Sequence, residues 1–353
     1  MIAVVLVGGE GTRLRPLTLD EPKPVLPIGG VPFVSLLLDR LAAAGVTRTI
    51  LSCGYLPDRL RAGIGEAPPG MTVEVVVEDE PLGTAGAIAF AAAGRVDGPF
   101  LALNGDVLGD ADLGALVAAH RERGAMAAIG LTPVDDPTRF GVVVHTDDGT
   151  VERFVEKPPN ADGLGPGPWW VNAGAYVLDP AVLELVPSGR MVSIEREVFP
   201  DLVGRGLICV RSDGYWRDIG TLESFLTANA DAVSGRVRTR LGDAPPVDPA
   251  ARVSPTARLV PPVLVAAGAV IGDGAEVGPD AVIGAGAEVG AEATVRSSVL
   301  LADARVAARA TVERSAIGRG ALVGERARVV DSALGTDQAA GAGEEMVGER
   351  RPG

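Results

Sequence analysis

The sequence predicts an α/β protein in which a doubly wound, mostly parallel sheet is followed by a left-handed parallel β-helix. Up to about residue 234, short apolar runs alternate with segments of helical pattern, as in proteins built from βαβ units. From about residue 253, aliphatic residues recur at every sixth position, which matches neither the α-helical period nor simple strand alternation. The predicted boundaries are an α/β domain over 1–241, a linker over 242–252, a β-helix over 253–334 and a loose tail over 335–353.

In the α/β part, strands and helices are predicted to alternate along the chain. Strands are expected at 4–7, 49–51, 73–77 and 100–103, and helices at 32–44, 85–93 and 111–123. Between 126 and 177 the pattern is richer in strands, with a hairpin signal at 147–149 and a strand at 169–178. Open parallel sheets bind ligands beyond the carboxyl ends of their strands, where Gly8 and Asp106 are expected to lie.

The six-residue rhythm is typical of the hexapeptide repeat of a left-handed β-helix. Each rung points one aliphatic side chain into a prism, and glycine or alanine suits the tight corners. The register slips by one residue twice, once after Leu301 and once after Val312. The predicted inward positions are Val253, Leu259, Val265, Ile271, Val277, Ile283, Val289, Val295, Leu301, Val306, Val312, Ile317, Val323 and Val329.

Composition excludes several classes of protein. The 353 residues are 47% hydrophobic and 22% charged, and a net charge of −14 argues against a general nucleic-acid binder. The first apolar run ends at Gly8 and is too short for a signal sequence or a membrane span. The two cysteines, Cys53 and Cys209, lie far apart without a CxxC partner, so a reduced, cytoplasmic protein without a zinc site is expected.

The glycine-rich loop after the first strand is the strongest chemical signal. A strand, a loop whose backbone N–H groups can face an anion, and fixed cations are what a triphosphate needs. The loop lacks the Gly-Lys-Ser/Thr of a Walker A motif and does not match the Rossmann GxGxxG pattern. Lys23 stands between Pro22 and Pro24, which remove backbone freedom and help to fix its direction. The loop residues are Gly8, Gly9, Gly11, Thr12 and Arg13.

Several motifs together resemble one family. GGEGTRLRPLT at 8–18, followed by PKP at 22–24, resembles the signature of the sugar-1-phosphate nucleotidylyltransferases, and more narrowly of the mannose-1-phosphate guanylyltransferases. The resemblance implies a Rossmann-like nucleotide-diphospho-sugar transferase fold, and transfer of a nucleotidyl group from a triphosphate to a sugar 1-phosphate. Further motifs that resemble this family are EPLGTAG at 80–86, FVEKP at 154–158, VNAG at 171–174 and YWRDIG at 215–220.

The resemblance also implies the residues of the site. Arg13 and Lys23 would neutralise the triphosphate and Lys157 the sugar phosphate, and these three are the predicted catalytic residues. Asp106 and Asp218 would hold Mg²⁺, which takes few protein ligands. The predicted nucleotide-binding residues are Leu6, Gly8, Gly9, Gly11, Thr12, Arg13, Lys23, Glu80, Leu82, Gly83, Thr84, Asn104 and Gly105. The predicted sugar-phosphate-binding residues are Gly141, Glu156, Lys157, Asn172 and Gly174.

Alternatives stay open for the substrates and for one carboxylate. The segment 80–86 favours GTP, because the N–H donors of guanine suit a carboxylate or carbonyl acceptor. Mannose 1-phosphate is the first candidate acceptor. A heptose phosphate, a cyclitol phosphate such as valienol 1-phosphate, and thymidylyl or uridylyl transfer to glucose 1-phosphate are the alternatives. Asp218 would also suit a helix N-cap, although Thr221 is the better cap candidate.

Two further hypotheses concern the whole chain. A regulatory homologue that binds sugar nucleotide without turning it over is disfavoured by the intact cationic and carboxylate motif residues. An acyltransferase site in the β-helix is disfavoured because no histidine follows His145 to act as a base. The β-helix is therefore interpreted as a module for stability and assembly, and a homo-oligomer without nucleic-acid or membrane partners is expected.

Overall fold

The computed structural model describes residues 1–237 and 245–352. The predicted boundary between 241 and 242 lies outside the described residues. The chain forms two compact units, which divide the sequence differently from the predicted domains. Unit 1 comprises Met1–Gly9, Leu37–Arg61 and Gly65–Trp216, and unit 2 comprises Glu10–Leu36, Ala62–Ile64 and Arg217–Gly353.

Strands and helices alternate up to Val233, as the sequence predicts. The last helix begins after Thr221, whose side chain accepts a hydrogen bond from the backbone N–H of Ser224 and so caps it. The strands are β1 (Ile2–Leu6), β2 (Pro27–Ile28), β3 (Val31–Pro32), β4 (Arg48–Cys53), β5 (Thr72–Val77), β6 (Phe100–Asn104), β7 (Val107–Gly109), β8 (Ala127–Val134), β9 (Gly141–His145), β10 (Val151–Glu156), β11 (Trp169–Leu178), β12 (Leu207–Arg211) and β13 (Trp216–Asp218). The α-helices are α1 (Phe33–Ala43), α2 (Pro57–Gly63), α3 (Gly83–Ala92), α4 (Leu113–Arg123), α5 (Phe199–Leu202) and α6 (Leu222–Val233).

Unit 1 is built on one sheet, which has nine strands within the described part of the chain. Strands β5, β4, β1 and β6 lie side by side in parallel, which confirms the predicted parallel core. Val4 and Val5 in β1 are fully buried, because this strand has a neighbour on each edge and is covered on both faces. Strand β11 pairs antiparallel with β6, β8 and β9, and the predicted hairpin is the antiparallel pair β9–β10.

The C-terminal part of unit 2 is a parallel β-helix with three six-stranded sheets among the described residues. Each sheet collects one side of the successive coils, and all its strand pairs are parallel. The strands are β14 (Arg252–Val253), β15 (Arg258–Leu259), β16 (Val263–Val265), β17 (Val270–Ile271), β18 (Glu276–Val277), β19 (Ala281–Ile283), β20 (Glu288–Val289), β21 (Thr294–Arg296), β22 (Val299–Leu300), β23 (Arg305–Val306), β24 (Thr311–Glu313), β25 (Ala316–Ile317), β26 (Leu322–Val323), β27 (Arg328–Val330), β28 (Ala333–Leu334), β29 (Ala339–Ala340), β30 (Glu345–Val347) and β31 (Arg350–Arg351).

The slips in the sequence rhythm mark a change in coil length. Val277 pairs with Val295, a step of 18 residues, whereas Ile283 pairs with Leu300, a step of 17. The inward residue is therefore Leu300, which is fully buried, and the prediction of Leu301 at this position is wrong by one residue. Every later coil keeps the 17-residue step. In each 17-residue coil, the missing residue falls just before the strand of the third sheet, at the same corner of the prism.

A column of buried serines occupies that corner. Ser298, Ser315 and Ser332 are fully buried and follow one another at the 17-residue step. The Oγ of each serine donates to a backbone carbonyl two residues earlier and accepts from the backbone N–H of the next coil. The last of these N–H groups belongs to Glu349. The column thus satisfies backbone groups that the shortened turn leaves inside the prism.

The β-helix is longer than predicted at both ends. Residues 335–353 were expected to form a loose tail, but β29, β30 and β31 continue the three sheets through this segment. Ala340 and Met346 fill the inward positions and are fully buried, so a small or flexible apolar side chain serves where the sequence lacks Val or Ile. At the other end, Val247 of the predicted linker already pairs with Val265.

Replacing Ser315 with alanine is expected to lower the free energy of unfolding by about 1–3 kcal/mol. The substitution removes the acceptor of the Ser332 N–H, which lies 3.1 Å from Ser315 Oγ, and leaves that buried donor unpaired. Thermal unfolding followed by circular dichroism measures the effect, with the exposed Ser188→Ala as the matched control. A midpoint equal to that of the control would show that the serine column adds nothing to stability.

Candidate functional site

The first half of the glycine loop lies at the carboxyl end of β1 in unit 1. A Cβ at Gly8 would stand 3.0 Å from Gly54 N and 3.4 Å from Glu78 Oε1, so backbone and carboxylate both approach this glycine closely. Glu78 follows β5 and its Oε1 accepts a hydrogen bond from Ser52 Oγ at 2.8 Å. The loop therefore starts at the edge where ligands bind in open parallel sheets, as predicted.

The second half of the loop lies in unit 2 and is held by its own hydrogen bonds. Gly11 has a φ of 62°, a left-handed conformation that glycine adopts without strain. Thr18 is fully buried, and its Oγ1 donates to Gly11 O at 2.9 Å. A 3₁₀ turn, Thr12–Leu14, follows and leaves Arg13 exposed. Arg13, the cation predicted to bind the triphosphate, therefore projects from a hydrogen-bonded turn.

Arg13 and Asp218 meet around Gly220 in unit 2. A Cβ at Gly220 would lie 2.6 Å from Arg13 Nη2 and 3.1 Å from Asp218 Oδ1. Only a residue without a side chain leaves room for both groups at this point. The structure therefore brings a predicted triphosphate cation next to a predicted metal carboxylate, although they are more than 200 positions apart in sequence.

Lys23 begins the 3₁₀ turn Lys23–Val25, which Pro22 precedes. The turn is closed by hydrogen bonds from Val25 N to Pro22 O and from Leu26 N to Lys23 O. Lys23 lies beside the loop, since its Cβ is 3.4 Å from the position that a Cβ at Gly11 would take. Within unit 2, Gly11, Arg13, Lys23 and Asp218 therefore belong to one neighbourhood, with Thr12 in the turn.

The turn after β6 carries Asn104, Gly105 and Asp106 in unit 1. Gly105 N donates to Leu6 O at 2.9 Å, which ties this turn to the end of β1 and brings together predicted nucleotide-binding residues. Asn104 Oδ1 is buried and has no hydrogen-bond partner among the described residues. A buried acceptor without a donor is costly, so a ligand donor at this point would be favourable.

The segment predicted to contact the base opens α3. Glu80 is exposed, and Leu82, Gly83 and Thr84 are partly buried. Leu82 O accepts from Val192 N, and a Cβ at Gly83 would lie 2.6 Å from Val192 O, so the segment packs tightly on the chain near Val192. The Thr84 hydroxyl donates to Glu195 Oε2 at 2.7 Å and accepts from Ile194 N at 2.8 Å. Thr84 therefore anchors the first turn of the π-helix Ile194–Val198 to the start of α3.

Glu156 is the last residue of β10 and Lys157 follows it. The two form an ion pair with 3.5 Å between Lys157 Nζ and Glu156 Oε1. The Glu156 side chain is 16% exposed, whereas that of Lys157 is 58% exposed. Lys157 has a φ of 48°, a conformation that non-glycine residues rarely adopt and that is over-represented at functional sites. A Cβ at Gly141 would lie 2.8 Å from Glu156 Oε2, so this glycine borders the carboxylate.

The turn at Asn172 and Gly174 interrupts the pairing of β11 with β8. Asn172 Oδ1 accepts from Gly174 N, and Asn172 Nδ2 donates to the hydroxyl of Tyr176; both distances are 2.9 Å. Burial raises the pKa of Tyr176 well above its usual value, and the charge of Glu195 acts in the same direction. Tyr176 is therefore a neutral support that orients Asn172. Asn104 packs against Gly174, which links this turn to the end of β6.

Three residues of this region were not predicted from the sequence. Glu195 is one of them, and its charge is the second cause, after burial, that raises the pKa of Glu156. Glu78 borders Gly8, and Gly220 separates Arg13 from Asp218. A clearer signal lies in lysine usage: among 32 basic residues there are two lysines, Lys23 and Lys157, and both fall in the motifs.

The two carboxylates predicted to bind a metal belong to different units, Asp106 to unit 1 and Asp218 to unit 2. Across 1–237 and 245–352, no three His, Cys, Asp or Glu side chains form a group that could hold a metal ion. A structural zinc ion, which needs a closed cage of ligands, therefore has no site among these residues. A carboxylate has the chemistry that Mg²⁺ prefers, since this ion is bound through one or two carboxylates and completes its shell with phosphate oxygens and waters.

A cavity of about 750 Å³ lies in unit 2 between α6 and the shortened corner of the β-helix. Its walls include Leu226, Asp231 and Arg236 on one side and Asp280 and Arg314 on the other. None of the predicted site residues lines it. The candidate site is therefore defined by the motif residues rather than by cavity size. No helix in the described ranges is long and apolar enough to cross a membrane.

Comparisons with known proteins agree with the motifs. The family model described as Nucleotidyl transferase matches residues 2–235, and the model of the GMPPB C-terminal domain matches residues 259–347. The mannose-1-phosphate guanylyltransferase of Mycobacterium tuberculosis is 44% identical over 240 residues, which cover 66% of this chain and 65% of that protein. The mannose-1-phosphate guanyltransferase of Candida albicans is 41% identical over 234 residues, which cover 64% of this chain and 63% of that protein.

A solved structure shows the same fold. The crystal structure of HddC from Yersinia pseudotuberculosis matches with a TM-score of 0.56 and 30% sequence identity, over 65% of this chain and 99% of that one. This chain spans 65% and 63% of the lengths of the two curated relatives. Because the family model covers the greater part of the sequence, from residue 2 to residue 235, the chain belongs to the nucleotidyl transferase family.

Proposed function

We propose that the protein transfers GMP from GTP to a sugar 1-phosphate, with mannose 1-phosphate as the first candidate, and releases pyrophosphate. The observation that carries the proposal is the use of lysine. Almost all basic residues of the chain are arginines. Lysine occurs at two positions, and both are expected to contact phosphate groups. An ammonium is a compact point charge that suits a phosphate oxygen in a narrow site. The names of the similar proteins support the same reaction.

In the proposed reaction, an oxygen of the sugar phosphate attacks the α-phosphorus of GTP. The bond from the α-phosphorus to the oxygen that bridges it to the β-phosphorus breaks, and pyrophosphate leaves with that electron pair. No protein nucleophile is needed, so the chain has to align two anions and neutralise their charge. Arg13 and Lys23 are assigned to the triphosphate, and Lys157 to the sugar phosphate. Glu156 and Asn172 are assigned to the sugar hydroxyls.

The family generally uses a divalent metal, and we propose Mg²⁺ with Asp106 and Asp218 as its protein ligands. When bound, the ion would draw charge from the phosphate oxygens. The position of Asp218 next to Arg13 supports this role, since both groups would then face the same triphosphate. Thr221 caps α6, which removes the alternative that Asp218 serves as the helix N-cap.

The preference for GTP is argued from Glu80 to Gly86 and from the relatives. Glu80 is exposed at the start of this segment, where a carboxylate acceptor would suit the N–H groups of guanine. A heptose or cyclitol phosphate as acceptor, and thymidylyl or uridylyl transfer, are the alternatives within the enzyme class. A regulatory homologue would bind a sugar nucleotide and release no pyrophosphate.

One screen separates these possibilities. Each of the common nucleoside triphosphates is combined with mannose 1-phosphate, glucose 1-phosphate, a heptose phosphate and valienol 1-phosphate, and pyrophosphate release is measured with Mg²⁺. GTP with mannose 1-phosphate is expected to give the highest kcat/KM. A higher value for another pair would replace the substrates. The absence of release with every pair, together with binding of a sugar nucleotide, would establish the regulatory alternative.

The sugar side of the site is expected to depend on pH through Glu156. Burial, followed by the charge of Glu195, raises the pKa of Glu156 above its ordinary value of 4.5, while Lys157 opposes this. As pH falls through that raised pKa, the carboxylate is protonated, so one oxygen becomes a donor and the hydrogen bonds accepted from sugar hydroxyls lose their charge assistance. The KM for the sugar phosphate should then rise, whereas the stability contribution of Glu156 improves because a buried charge is removed.

The matched measurement compares wild type with Glu156→Gln across the acidic range. Titration of the sugar phosphate itself affects both proteins equally, so the ratio of their KM values reports on Glu156. The ratio of the KM of Glu156→Gln to that of wild type is expected to approach 1 as pH falls through the raised pKa of Glu156. This change should occur at a pH above 4.5, the ordinary pKa of glutamate. A ratio that stays constant across the acidic range would contradict the proposed role of Glu156 in sugar recognition.

We also propose that the chain assembles into a homo-oligomer and works in the cytoplasm. The support for assembly is an exposed apolar side chain on a strand of the β-helix, since exposed apolar surface favours contact with a partner. Val347, on β30, is 52% exposed. Cys53 and Cys209 are buried free thiols, which suits a reducing compartment. Sedimentation analysis of the full chain tests the assembly.

A further inference from the structure

The segment that carries Arg13 and Lys23 rests on the β-helix within unit 2. Arg319 Nη2 lies 3.2 Å from Glu21 Oε1, and these two residues are 298 positions apart. The Glu21 side chain is 17% exposed, so most of its surface is covered, whereas that of Arg319 is 53% exposed. Because Glu21 is mostly covered, the pair is screened less by solvent and salt than a pair between two exposed side chains.

The contact sits two residues before Lys23, and the chain between them is stiff. Pro22 follows Glu21 with a φ of −66° and starts the 3₁₀ turn that Lys23 opens. Proline fixes this dihedral angle, so fewer backbone torsions are left to absorb a displacement of Glu21 before it reaches Lys23. The direction of the lysine is therefore coupled to the position of the glutamate.

Arg319 projects from a rigid corner. Its backbone carbonyl accepts from Asp337 N at 2.9 Å, and the next residue, Gly320, donates to Ala302 O at 3.0 Å, so coils on both sides hold this turn. The following coil touches the loop at a second point. A Cβ at Gly335 would lie 3.1 Å from Pro16 Cβ, which shows that the β-helix backbone packs against Pro16.

We infer that Arg319 and Gly335 are positioning residues for the phosphate-binding loop, so that one corner of the β-helix sets the direction of Lys23. The role in triphosphate binding rests on the proposed function, whereas the contact itself does not. The β-helix then contributes to substrate binding in addition to stability and assembly. Neither residue touches the substrate in this inference, since both act through Glu21 and Pro16.

The kinetic test uses Arg319→Gln in the full-length chain, with Arg326→Gln as the matched control. Arg326 also lies at a β-helix corner and pairs with an acidic neighbour, Glu325, at 3.4 Å. Arg319→Gln should raise the KM for GTP about three- to tenfold and leave the KM for the sugar phosphate unchanged. Arg319→Lys should restore much of the loss, and Glu21→Gln should add little to Arg319→Gln because both remove one interaction.

A second readout does not depend on turnover. The side-chain amines of the chain are those of Lys23 and Lys157, so trace acetylation followed by peptide mass spectrometry gives the ratio of their reactivities in one sample. Lys157 is the internal standard. Arg319→Gln should raise the ratio of Lys23 to Lys157 labelling, and Arg326→Gln should not. Gly335→Ala, whose added Cβ would lie 3.1 Å from both Pro16 Cβ and Pro352 Cδ, should change the same ratio.

The outcomes separate the inference from the proposed function. If the wild type releases no pyrophosphate from any triphosphate, the proposed function is wrong, while the labelling ratio still tests the positioning contact. An unchanged labelling ratio in both Arg319→Gln and Gly335→Ala would overturn the inference. Additive effects of Glu21→Gln and Arg319→Gln on the KM for GTP would also contradict it, because independent residues do not share one interaction.

Discussion

Asp106→Asn is expected to lower kcat by about 10²- to 10³-fold in the presence of Mg²⁺, which corresponds to the several kcal/mol that a bound metal contributes to charge stabilisation. Asparagine keeps the shape of the side chain but loses the negative charge that holds the ion. The backbone hydrogen bond from Gly105 N to Leu6 O does not involve the substituted side chain and stays available to the turn. Pyrophosphate release at increasing Mg²⁺ concentration measures the effect, and a partial recovery at high concentration is expected.

Asp112→Asn is the control for this substitution. Asp112 is exposed and caps α4 by accepting a hydrogen bond from Ala115 N, a role that asparagine fills equally well. The control removes one negative charge from the same stretch of chain and should leave kcat and its dependence on Mg²⁺ unchanged. Near-normal turnover of Asp106→Asn would remove the metal assignment.

Lys157→Ala is expected to lower kcat/KM for the sugar phosphate by about 10²- to 10³-fold, as the loss of one group that neutralises developing charge does in other enzymes. The KM for GTP should change little, because Arg13 and Lys23 are assigned to the triphosphate. The substitution also leaves Glu156 without the cation that lies 3.5 Å away, so the pKa of Glu156 should rise further. Steady-state kinetics with each substrate varied in turn measures both effects.

The control for Lys157→Ala is Arg153→Ala on β10, the strand that Lys157 follows. Arg153 is exposed, and its guanidinium donates to Gly163 O rather than to a predicted site residue. Lys157→Arg provides a second comparison, since it keeps the charge but replaces a point-like ammonium with a planar group. An unchanged dependence on sugar phosphate in Lys157→Ala would contradict its role.

The sequence could predict the β-helix because its core repeats. One inward aliphatic residue per side is needed on every coil, so the positions stay in register over many residues. Leu300 and Leu301 could not be told apart in this way, since two leucines are adjacent and both are at most 7% exposed. The final coil was missed because Ala340 and Met346 replace the branched residues that make the rhythm visible.

The candidate site was only partly predictable for a different reason. Motif residues such as Lys23 and Lys157 are recognised by their immediate neighbours in sequence. Glu195 acts on Glu156 and Thr84 through space, and it is 111 positions from Thr84. Contacts of this kind depend on how the chain folds back, and no local pattern records them. The same holds for the ion pair of Glu21 with Arg319.

The shortened corner of the β-helix has a consequence for insertions and deletions. The step changes from 18 to 17 residues between Val295 and Leu300, and the core continues without interruption. One added residue at this corner would restore the longer coil that the preceding turns already use. An added residue on either of the other two sides would move an inward side chain to the outer face. Variation in coil length should therefore be tolerated at the corner marked by Ser298, Ser315 and Ser332 and selected against elsewhere.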